Sequence, residues 1–346
     1  MTPAPQVKHA QAPDQDVDAF RAALLSWYDA EGRTLPWRIR PGDNAAADPY
    51  AVWLSEVMLQ QTTVAHATPY WERFLDTFPT VCDLARAESD TVMGLWAGLG
   101  YYARARNLHK CAKTVCFDRK GIFPTDEATL LTLPGIGPYT AAAIAAICAG
   151  EPTNVVDGNV ERVISRLFAV EDALPKSRPQ LKALAARLVR PHRARDYPQA
   201  LMDLGATVCR PRSPACLLCP VSGWCVAYHH DTPERFPVKA RKAKLPTRRG
   251  LAFVAIRGEQ LWLTRRPDSG LLGGTLGFPT TDWTDTLPPI PDGWTGAGSV
   301  RHTFSHFHLE LSVLLGTETM GEGEWKGTDT VSTLPTLMRK VWQAAS

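Results

Sequence analysis

Glu56 could serve as a general acid. It has Trp53 three residues before it and Leu59 three residues after it, so it borders the apolar face of a helix that opens at Asp48-Pro49. Burial beside such a face removes hydration from a carboxyl group, which raises its pKa and keeps a proton available near neutral pH. Helical spacing alone slightly favours a side chain that leans out to solvent. Glu56 is therefore a candidate proton donor whose burial the fold must decide.

Asp157 stands where a helix should begin. Val160, Val163 and Ile164 follow it at helical spacing, and either Asp157 or Asn159 can cap this helix. The macrodipole and free amides of a helix start favour an ionised carboxylate, although a plain capping role is the alternative. Cleavage of a glycosidic bond needs one protonated and one ionised carboxyl: the first protonates the leaving group, and the second stabilises an oxocarbenium-like sugar.

Four cysteines fall within seventeen residues in the pattern C-x6-C-x2-C-x5-C: Cys209, Cys216, Cys219 and Cys225. This span is too short for two disulfides to be the natural interpretation, so the spacing predicts a metal site. Four thiolates suit either an iron-sulfur cluster or structural zinc, and the spacing alone does not separate the two. The other cysteines are scattered through helical segments and are interpreted as small buried hydrophobic residues: Cys82, Cys111, Cys116 and Cys148.

Gly135 and Gly137 flank one residue between two predicted helices. The backbone can therefore turn tightly and leave amide N–H groups unpaired at the start of the second helix, where a phosphate would fit. A simple helix corner is the alternative. Such a hairpin would hold a duplex by its backbone without selecting a base.

The composition is that of an ordinary globular protein, with 45% hydrophobic and 21% charged residues in a chain of 346, long enough for two or three domains. No apolar run approaches the length of a membrane span, so we expect a soluble protein without membrane contact. Residues 1–18 are polar and lack a targeting pattern, which predicts a disordered tail and a reducing, cytoplasmic location. A net charge of +3 neither requires nor excludes nucleic acid as a partner.

Apolar spacing of three and four runs from Phe20 to about Tyr228 and predicts an all-α region. Between Asp231 and Gly250, prolines and a basic run that includes Arg241 and Lys242 replace this periodicity, which predicts a linker. Strand patterns then follow at 251–256, 260–264 and 308–315, so the last third should be α+β.

A helix-hairpin-helix, the run V-V-D-G-N-V-E-R-V about twenty residues later and a four-cysteine loop resemble the endonuclease III superfamily of base-excision glycosylases. Within it, four longer motifs look like the adenine DNA glycosylase (MutY type) family: L-P-W-R at 35–38, S-E-V-M-L-Q-Q-T at 55–62, G-L-G-Y-Y-A-R-A-R-N-L at 98–108 and L-P-G-I-G-P-Y-T at 133–140. The resemblance covers roughly residues 20–230. It implies that the four cysteines hold one 4Fe-4S cluster.

The resemblance assigns roles to single residues. Glu56 matches the family's proton donor to adenine, and Asp157 matches its transition-state carboxylate. Tyr139 stands where the bifunctional branch carries a Schiff-base lysine, so β-elimination is not expected. Three further positions match supporting residues of the pocket: Arg38, Asn159 and Asp203.

Other matches imply contacts with DNA. The residues that would touch or enter the duplex are Gln60, Gln61, Thr62, Leu99 and Tyr101, together with Gly135 and Gly137 of the hairpin. For Leu99 and Tyr101, packing in the core is the alternative.

The C-terminal third resembles a Nudix-like domain that reads 8-oxoguanine. Phe304, Ser305 and His306 match the family's F-S-H loop, for which a plain strand-end turn is the alternative. Leu276 and Gly277 depart from the usual Trp and Glu of this family. No R-E-x-x-E-E-x-G box follows, so the domain should recognise rather than hydrolyse, without Mg²⁺.

The predicted fold is therefore an all-α N-terminal catalytic region, a helix-hairpin-helix glycosylase fold with an iron-sulfur loop, followed by an α+β Nudix-like C-terminal domain. We expect a disordered tail at 1–18, the glycosylase domain at 19–230, a linker at 231–249 and the lesion-recognition domain at 250–346. The glycosylase domain would comprise a six-helix part at about 45–160 and an iron-sulfur part at about 19–44 and 161–230.

The resemblance implies a monofunctional base-excision enzyme that removes adenine mispaired with 8-oxoguanine or guanine and leaves an abasic site. Its partner would be double-stranded DNA carrying this mispair, bound by a monomer at the nucleoid of a bacterium; the sequence does not specify processivity or repair partners. Two alternatives are a bifunctional glycosylase and AP lyase acting on oxidised pyrimidines, which Tyr139 opposes, and a non-catalytic iron-sulfur DNA-binding module, in which Glu56 would have no role.

Overall fold

The computed structural model describes residue 13, residues 16–40, residue 43, residues 45–240 and residues 244–346. Most of the predicted tail, and Arg241 and Lys242 of the predicted basic run, lie outside the described residues. The first helix begins at Val17, where the Asp16 side chain accepts a hydrogen bond from the backbone N–H of Ala19.

The N-terminal two thirds is built of helices, which confirms the helical prediction. The α-helices are α1 (Val17–Glu31), α2 (Pro49–Met58), α3 (Val64–Thr77), α4 (Val81–Arg86), α5 (Ser89–Leu95), α6 (Ala103–Lys113), α7 (Glu127–Leu130), α8 (Pro138–Ile144), α9 (Gly158–Leu167), α10 (Arg178–Ala186), α11 (Asp196–Asp203) and α12 (Val226–His229). Helices α6, α8 and α11 each continue into one π-helical turn, at Thr114–Asp118, Ala145–Ala149 and Leu204–Val208.

Helix α9 illustrates how local sequence sets these elements. Asp157 is its N-cap, and its side chain accepts a hydrogen bond from the Val160 backbone N–H at 2.7 Å. Val160, Ile164 and Leu167 lie on one face and are at most 2% exposed. They pack in one core with side chains from α1, α10 and α11, and each such burial stabilises the fold by roughly 1.5–3 kcal/mol.

The chain divides into two compact units, one formed by Met1–Val57 with Ile122–Arg241 and the other by Met58–Gly121 with Lys242–Ser346. Helices α3 to α6 therefore belong to the same unit as the C-terminal third. The sequence predicts one glycosylase domain at 19–230, and local periodicity carries no information on contacts between distant segments.

The C-terminal third contains a six-stranded sheet, formed by β1 (Thr247–Arg257), β2 (Gln260–Arg265), β3 (Leu276–Gly277), β4 (Thr295–Thr303), β5 (His308–Gly316) and β6 (Glu324–Gly327). Its order is β3-β2-β1-β5-β4, with β6 paired to β2. Strand β1 runs parallel to β5, and the other pairs are antiparallel. Helix α13 (Thr336–Ala345) packs against β1, β4 and β5. The three predicted strand patterns lie within β1, β2 and β5.

Cys82 and Cys116 form a disulfide, with their Sγ atoms 2.05 Å apart. The interpretation of these two residues as no more than small buried hydrophobic residues is wrong. They are 34 residues apart in sequence, and only the packing of α4 against the turn after α6 brings them together. Cys111 and Cys148 are free thiols, and burial raises the pKa of each to about 12.

Within the described part of the chain, no helix is both long and apolar enough to cross a bilayer.

Candidate active site

Glu56 lies on α2 and is 6% exposed, so the solvent-facing alternative is excluded. The phenol of Tyr139 donates a hydrogen bond to its Oε2 atom at 2.7 Å. Burial raises the pKa of Glu56, and the nearby charge of Asp157 adds to this, while the Tyr139 hydrogen bond and Arg38 oppose it. The expectation that this carboxyl loses hydration and holds its proton more tightly is confirmed.

Tyr139 reaches Glu56 because the hairpin places it in the first turn of α8. Pro138 opens this helix with a preset φ, directly after the N-cap Gly137. Burial raises the pKa of the Tyr139 phenol well above its ordinary value, and the neighbouring carboxylates act in the same direction. Tyr139 therefore remains a hydrogen-bond donor and is a poor nucleophile.

Asp157 is held by the first turn of α9. Its Oδ1 accepts from the Val160 backbone N–H at 2.7 Å, and its Oδ2 accepts from the Asn159 side-chain amide at 2.9 Å. Both bonds favour the carboxylate, as does the charge of Arg162, but burial outweighs them and raises the pKa of Asp157. The expected lowering by the helix start is therefore wrong in direction, because Asp157 lies deeper than an ordinary cap.

Asp203 organises two arginines behind the pocket. It is fully buried, and its carboxylate accepts from the Arg38 guanidinium at 2.7 Å and from the Arg33 guanidinium at 2.7 Å. The backbone N–H of Arg33 donates to the same carboxylate at 2.8 Å. Arg38, fixed in this way, lowers the pKa of Glu56. The structure thus pairs Arg38 with Asp203, each of which was predicted as a supporting residue, and adds Arg33, which the sequence analysis missed.

Arg162 ties α9 to the turn that follows α11. It donates to the Asn159 side-chain oxygen at 2.9 Å, to the Gly205 carbonyl at 2.7 Å and to the Cys209 carbonyl at 2.8 Å. A Cβ atom at Gly205 would lie 2.7 Å from the Cβ of Asn159, so only glycine allows this approach. Neither residue was predicted; the G of A-L-M-D-L-G was the available indication.

The four cysteines of the predicted metal site are free of disulfides and partly buried, and three of them, Cys209, Cys219 and Cys225, pack against the α9 core. Arg166, 1% exposed, donates to the Cys209 sulfur at 3.2 Å and to the Arg210 carbonyl at 2.8 Å. Burial raises the pKa of Cys219 to about 12 and that of Cys225 to about 11, so thiolates here need nearby positive charge. Among the described residues, no three His, Cys, Asp or Glu side chains are arranged as ligands of one ion.

The hairpin has the geometry of a candidate phosphate site. Gly135 has a φ of +75°, in the left-handed region, and Leu133 and Ile136 anchor the turn in the core. A Cβ atom at Gly137 would meet nothing within 4 Å, so the start of α8 is open to a ligand.

The candidate duplex contacts differ in exposure. Tyr101 is 53% exposed and Gln61 is exposed, and both have positive φ angles, +48° and +63°. Leu99 is 5% exposed, so the structure favours core packing for this residue. Gln60 and Thr62 are partly exposed in the turn after α2.

The F-S-H loop joins β4 to β5. Ser305 and His306 are exposed at its tip, and the Ser305 hydroxyl lies 3.2 Å from Nδ1 of His306. Phe304 turns inward and stacks on Trp283, with ring centroids 5.6 Å apart. The loop thus exposes its polar side chains and packs its partly buried aromatic one against Trp283.

The departure at Gly277 has a packing cause. A Cβ atom there would lie 2.9 Å from Cγ of Met338, which is fully buried on α13. The glutamate expected from the family pattern would therefore clash in this chain.

Known proteins share both halves of this architecture. The model of the HhH-GPD superfamily of base excision DNA repair proteins matches residues 54–191, and the NUDIX domain model matches residues 251–344. The adenine DNA glycosylase of Homo sapiens is 39% identical over 366 residues, which cover 86% of this chain and 67% of that protein. The adenine DNA glycosylase of Buchnera aphidicola subsp. Schizaphis graminum is 33% identical over 308 residues, covering 86% of this chain and 87% of its own.

Among solved structures, a thermostable thymine-DNA glycosylase is similar over 64% of this chain and 100% of its own, with a TM-score of 0.56 and 29% identity. The helical fold, the Nudix-like sheet domain and the two relatives all indicate the same family. The chain therefore belongs to the adenine DNA glycosylase family of the HhH-GPD superfamily and is a base-excision DNA glycosylase.

Proposed function

We propose that this chain hydrolyses the N-glycosidic bond of adenine paired with 8-oxoguanine or guanine in double-stranded DNA. The observation that carries the proposal is the buried Glu56, hydrogen-bonded at 2.7 Å to Tyr139 and electrostatically coupled to Asp157. Glu56 and Asp157 accept different hydrogen bonds, so one carboxyl can act as the acid while the other stabilises positive charge.

In the proposed mechanism, Glu56 gives its proton to a ring nitrogen of the extruded adenine, and the bond to C1′ breaks with its electron pair leaving on the base. Asp157 stabilises the oxocarbenium-like sugar or traps it briefly. Water then adds its hydroxyl to C1′ and gives its proton to the Glu56 carboxylate, which restores the acid and leaves an abasic site and free adenine. Asn159, through its bond to Asp157, and Arg38, through its charge near Glu56, are supporting residues.

We propose that the enzyme is monofunctional. Tyr139 offers a phenol of raised pKa where a lyase would need an amine, and a phenol forms no iminium ion with the sugar. Borohydride should therefore trap no covalent DNA adduct, and strand nicking should require added base.

We propose that the exposed Ser305 and His306 read the oxidised guanine by hydrogen bonds, and that the hairpin amides hold a backbone phosphate. Gln60, Gln61, Thr62 and Tyr101 are the proposed contacts around the two bases, where wedges help to offset an extrusion cost of a few kcal/mol. We also propose that the chain has the domain boundaries expected from the sequence and that it acts as a monomer at the nucleoid.

We propose that Cys209, Cys216, Cys219 and Cys225 hold one 4Fe-4S cluster. Four free thiols, one of which, Cys209, accepts from the buried guanidinium of Arg166, fit such a group, and the bound cluster would supply positive charge and cross-link the loop. Brown protein with broad visible absorbance is expected; colourless protein that contains zinc would overturn this part.

The test of the function is base release from matched duplexes by Glu56→Gln protein. We expect a loss of about 10²–10⁴-fold in single-turnover adenine release, the usual contribution of a general acid. Glu161→Gln is the matched control, because Glu161 lies on α9 and pairs with Arg178 at the surface. Wild-type release by Glu56→Gln would refute the mechanism.

A further inference from the structure

Two distant parts of the second unit are joined by an ion pair. Asp90 on α5 accepts two hydrogen bonds from Arg265 at the end of β2, at 2.8 and 2.7 Å. One residue belongs to the helical segment that carries Tyr101, and the other belongs to the domain that carries the F-S-H loop. Planar pairing of this kind fixes orientation as well as distance.

A turn at residues 270–275, here called the strap, receives further contacts from both sides. Arg265 donates to the Gly274 carbonyl at 3.0 Å, and Arg106 on α6 donates to the Gly273 carbonyl. Gly274 has a φ of +70°, and a Cβ atom at Gly273 would lie 2.8 Å from the Pro267 carbonyl oxygen. The consecutive glycines are therefore required by the shape of the strap.

The contacts reach the residue beside the exposed tyrosine. Tyr102 is 5% exposed and lines a cavity of only about 60 Å³ together with Gly274, Thr275 and Leu276. It also precedes α6, whose first turn leads to Arg106. The residue that follows Tyr101 thus lies against the C-terminal sheet domain.

We propose that Asp90, Arg106 and Arg265 are positioning residues. They hold the loop that carries Tyr101 and the F-S-H loop in one rigid arrangement that recognises the mispair. Because both loops belong to one rigid body, they are ordered before DNA binds. Recognition of the lesion by the F-S-H loop therefore also positions Tyr101 in the duplex. Without these contacts, each loop would engage the duplex separately and the preference for 8-oxoguanine would fall. This inference rests on the proposed function.

The ion pair can be removed with little cost to folding. The side chains of Asp90 and Arg265 are 56% and 43% exposed, and pairs this exposed contribute little to stability. We expect Asp90→Asn and Arg265→Gln each to reduce the rate ratio between A:8-oxoguanine and A:guanine duplexes by about two- to fivefold. The double variant Arg106→Gln/Arg265→Gln should reduce it on the order of tenfold.

The experiment measures single-turnover adenine release from both duplexes, with thermal unfolding as a check of the fold. Glu171→Gln is the control, because it removes an equally exposed ion pair with Arg235 in the other unit. The charge-reversed pair Asp90→Arg/Arg265→Asp should regain part of the ratio lost in Asp90→Asn, which a merely structural effect would not do.

The outcomes distinguish a failure of the proposed lesion reading from a failure of the positioning role. If wild type shows no preference for 8-oxoguanine, the proposed lesion reading fails and this inference fails with it. If Ser305→Ala lowers the ratio while Asp90→Asn and Arg265→Gln keep it, the lesion reading stands and the positioning role is wrong. Loss in both single variants with no recovery in the reversed pair would also overturn the positioning role.

Discussion

Gly205→Ala tests whether the site depends on close packing behind its catalytic helix. The new Cβ atom would lie 2.7 Å from the Cβ of Asn159 and 3.1 Å from its carbonyl oxygen. Carbon atoms in contact prefer about 3.5–4.0 Å, so α9 or the turn after α11 must move by about 1 Å. That movement displaces Asn159, which donates to Asp157, and disturbs the Arg162 bond to the Gly205 carbonyl.

The sign of the stability change is informative. Helix preference alone favours alanine over glycine by roughly 1 kcal/mol, whereas overpacking costs about 1–3 kcal/mol. We therefore expect a net loss of stability at Gly205. A displacement near 1 Å at a catalytic group should also slow adenine release on the order of 100-fold.

Urea unfolding and single-turnover adenine release measure the two effects. Gly223→Ala is the control, because a Cβ atom there meets nothing within 4 Å. If Gly205→Ala is as stable as wild type and releases adenine within about twofold of the wild-type rate, the close approach does not position Asn159 and this reasoning is refuted.

Three other substitutions test separate parts of the structure. Tyr139→Phe removes the hydrogen bond that lowers the pKa of Glu56, so the loss of activity at high pH should move to higher pH; a single-turnover pH profile that stays in place or moves down would contradict this. Glu56→Gln should flatten the pH dependence of unfolding. The raised pKa of Glu56 gives the wild type a stability contribution that is complete below the pKa of an unfolded glutamate and is lost as pH rises through the folded pKa, and urea titrations across this window check the sign. Gly277→Glu should destabilise the protein by about 1–3 kcal/mol through contact with Met338, and an unchanged melting temperature would disprove that clash.

Much of the site could be predicted from local features of the sequence. Helix periodicity and capping placed Asp157 at the start of α9, and the hairpin glycines placed Tyr139 in the first turn of the next helix. These features depend on residues within a few positions of one another, which is why a single sequence reveals them.

Contacts between distant segments could not be predicted. Arg33 and Asp203 are 170 residues apart, and arginines without periodicity look like solvated surface residues. The pKa of Asp157 depends on how deeply its helix start is buried, and the exposure of Leu99 depends on neighbours from other helices. The disulfide between Cys82 and Cys116 has the same origin.

The hairpin has two proposed roles, phosphate binding and a hydrogen bond to the acid, and different chemical groups carry them out. The space beside Gly137, where we propose that a phosphate binds, is open, whereas two residues later the phenol of Tyr139 donates to Glu56. We therefore expect a substitution at position 139 to change what happens to the sugar and to leave the proposed phosphate contact intact. With these proposed roles, the reaction outcome and the affinity for DNA depend on different groups, so this fold could change its products and keep its binding of DNA.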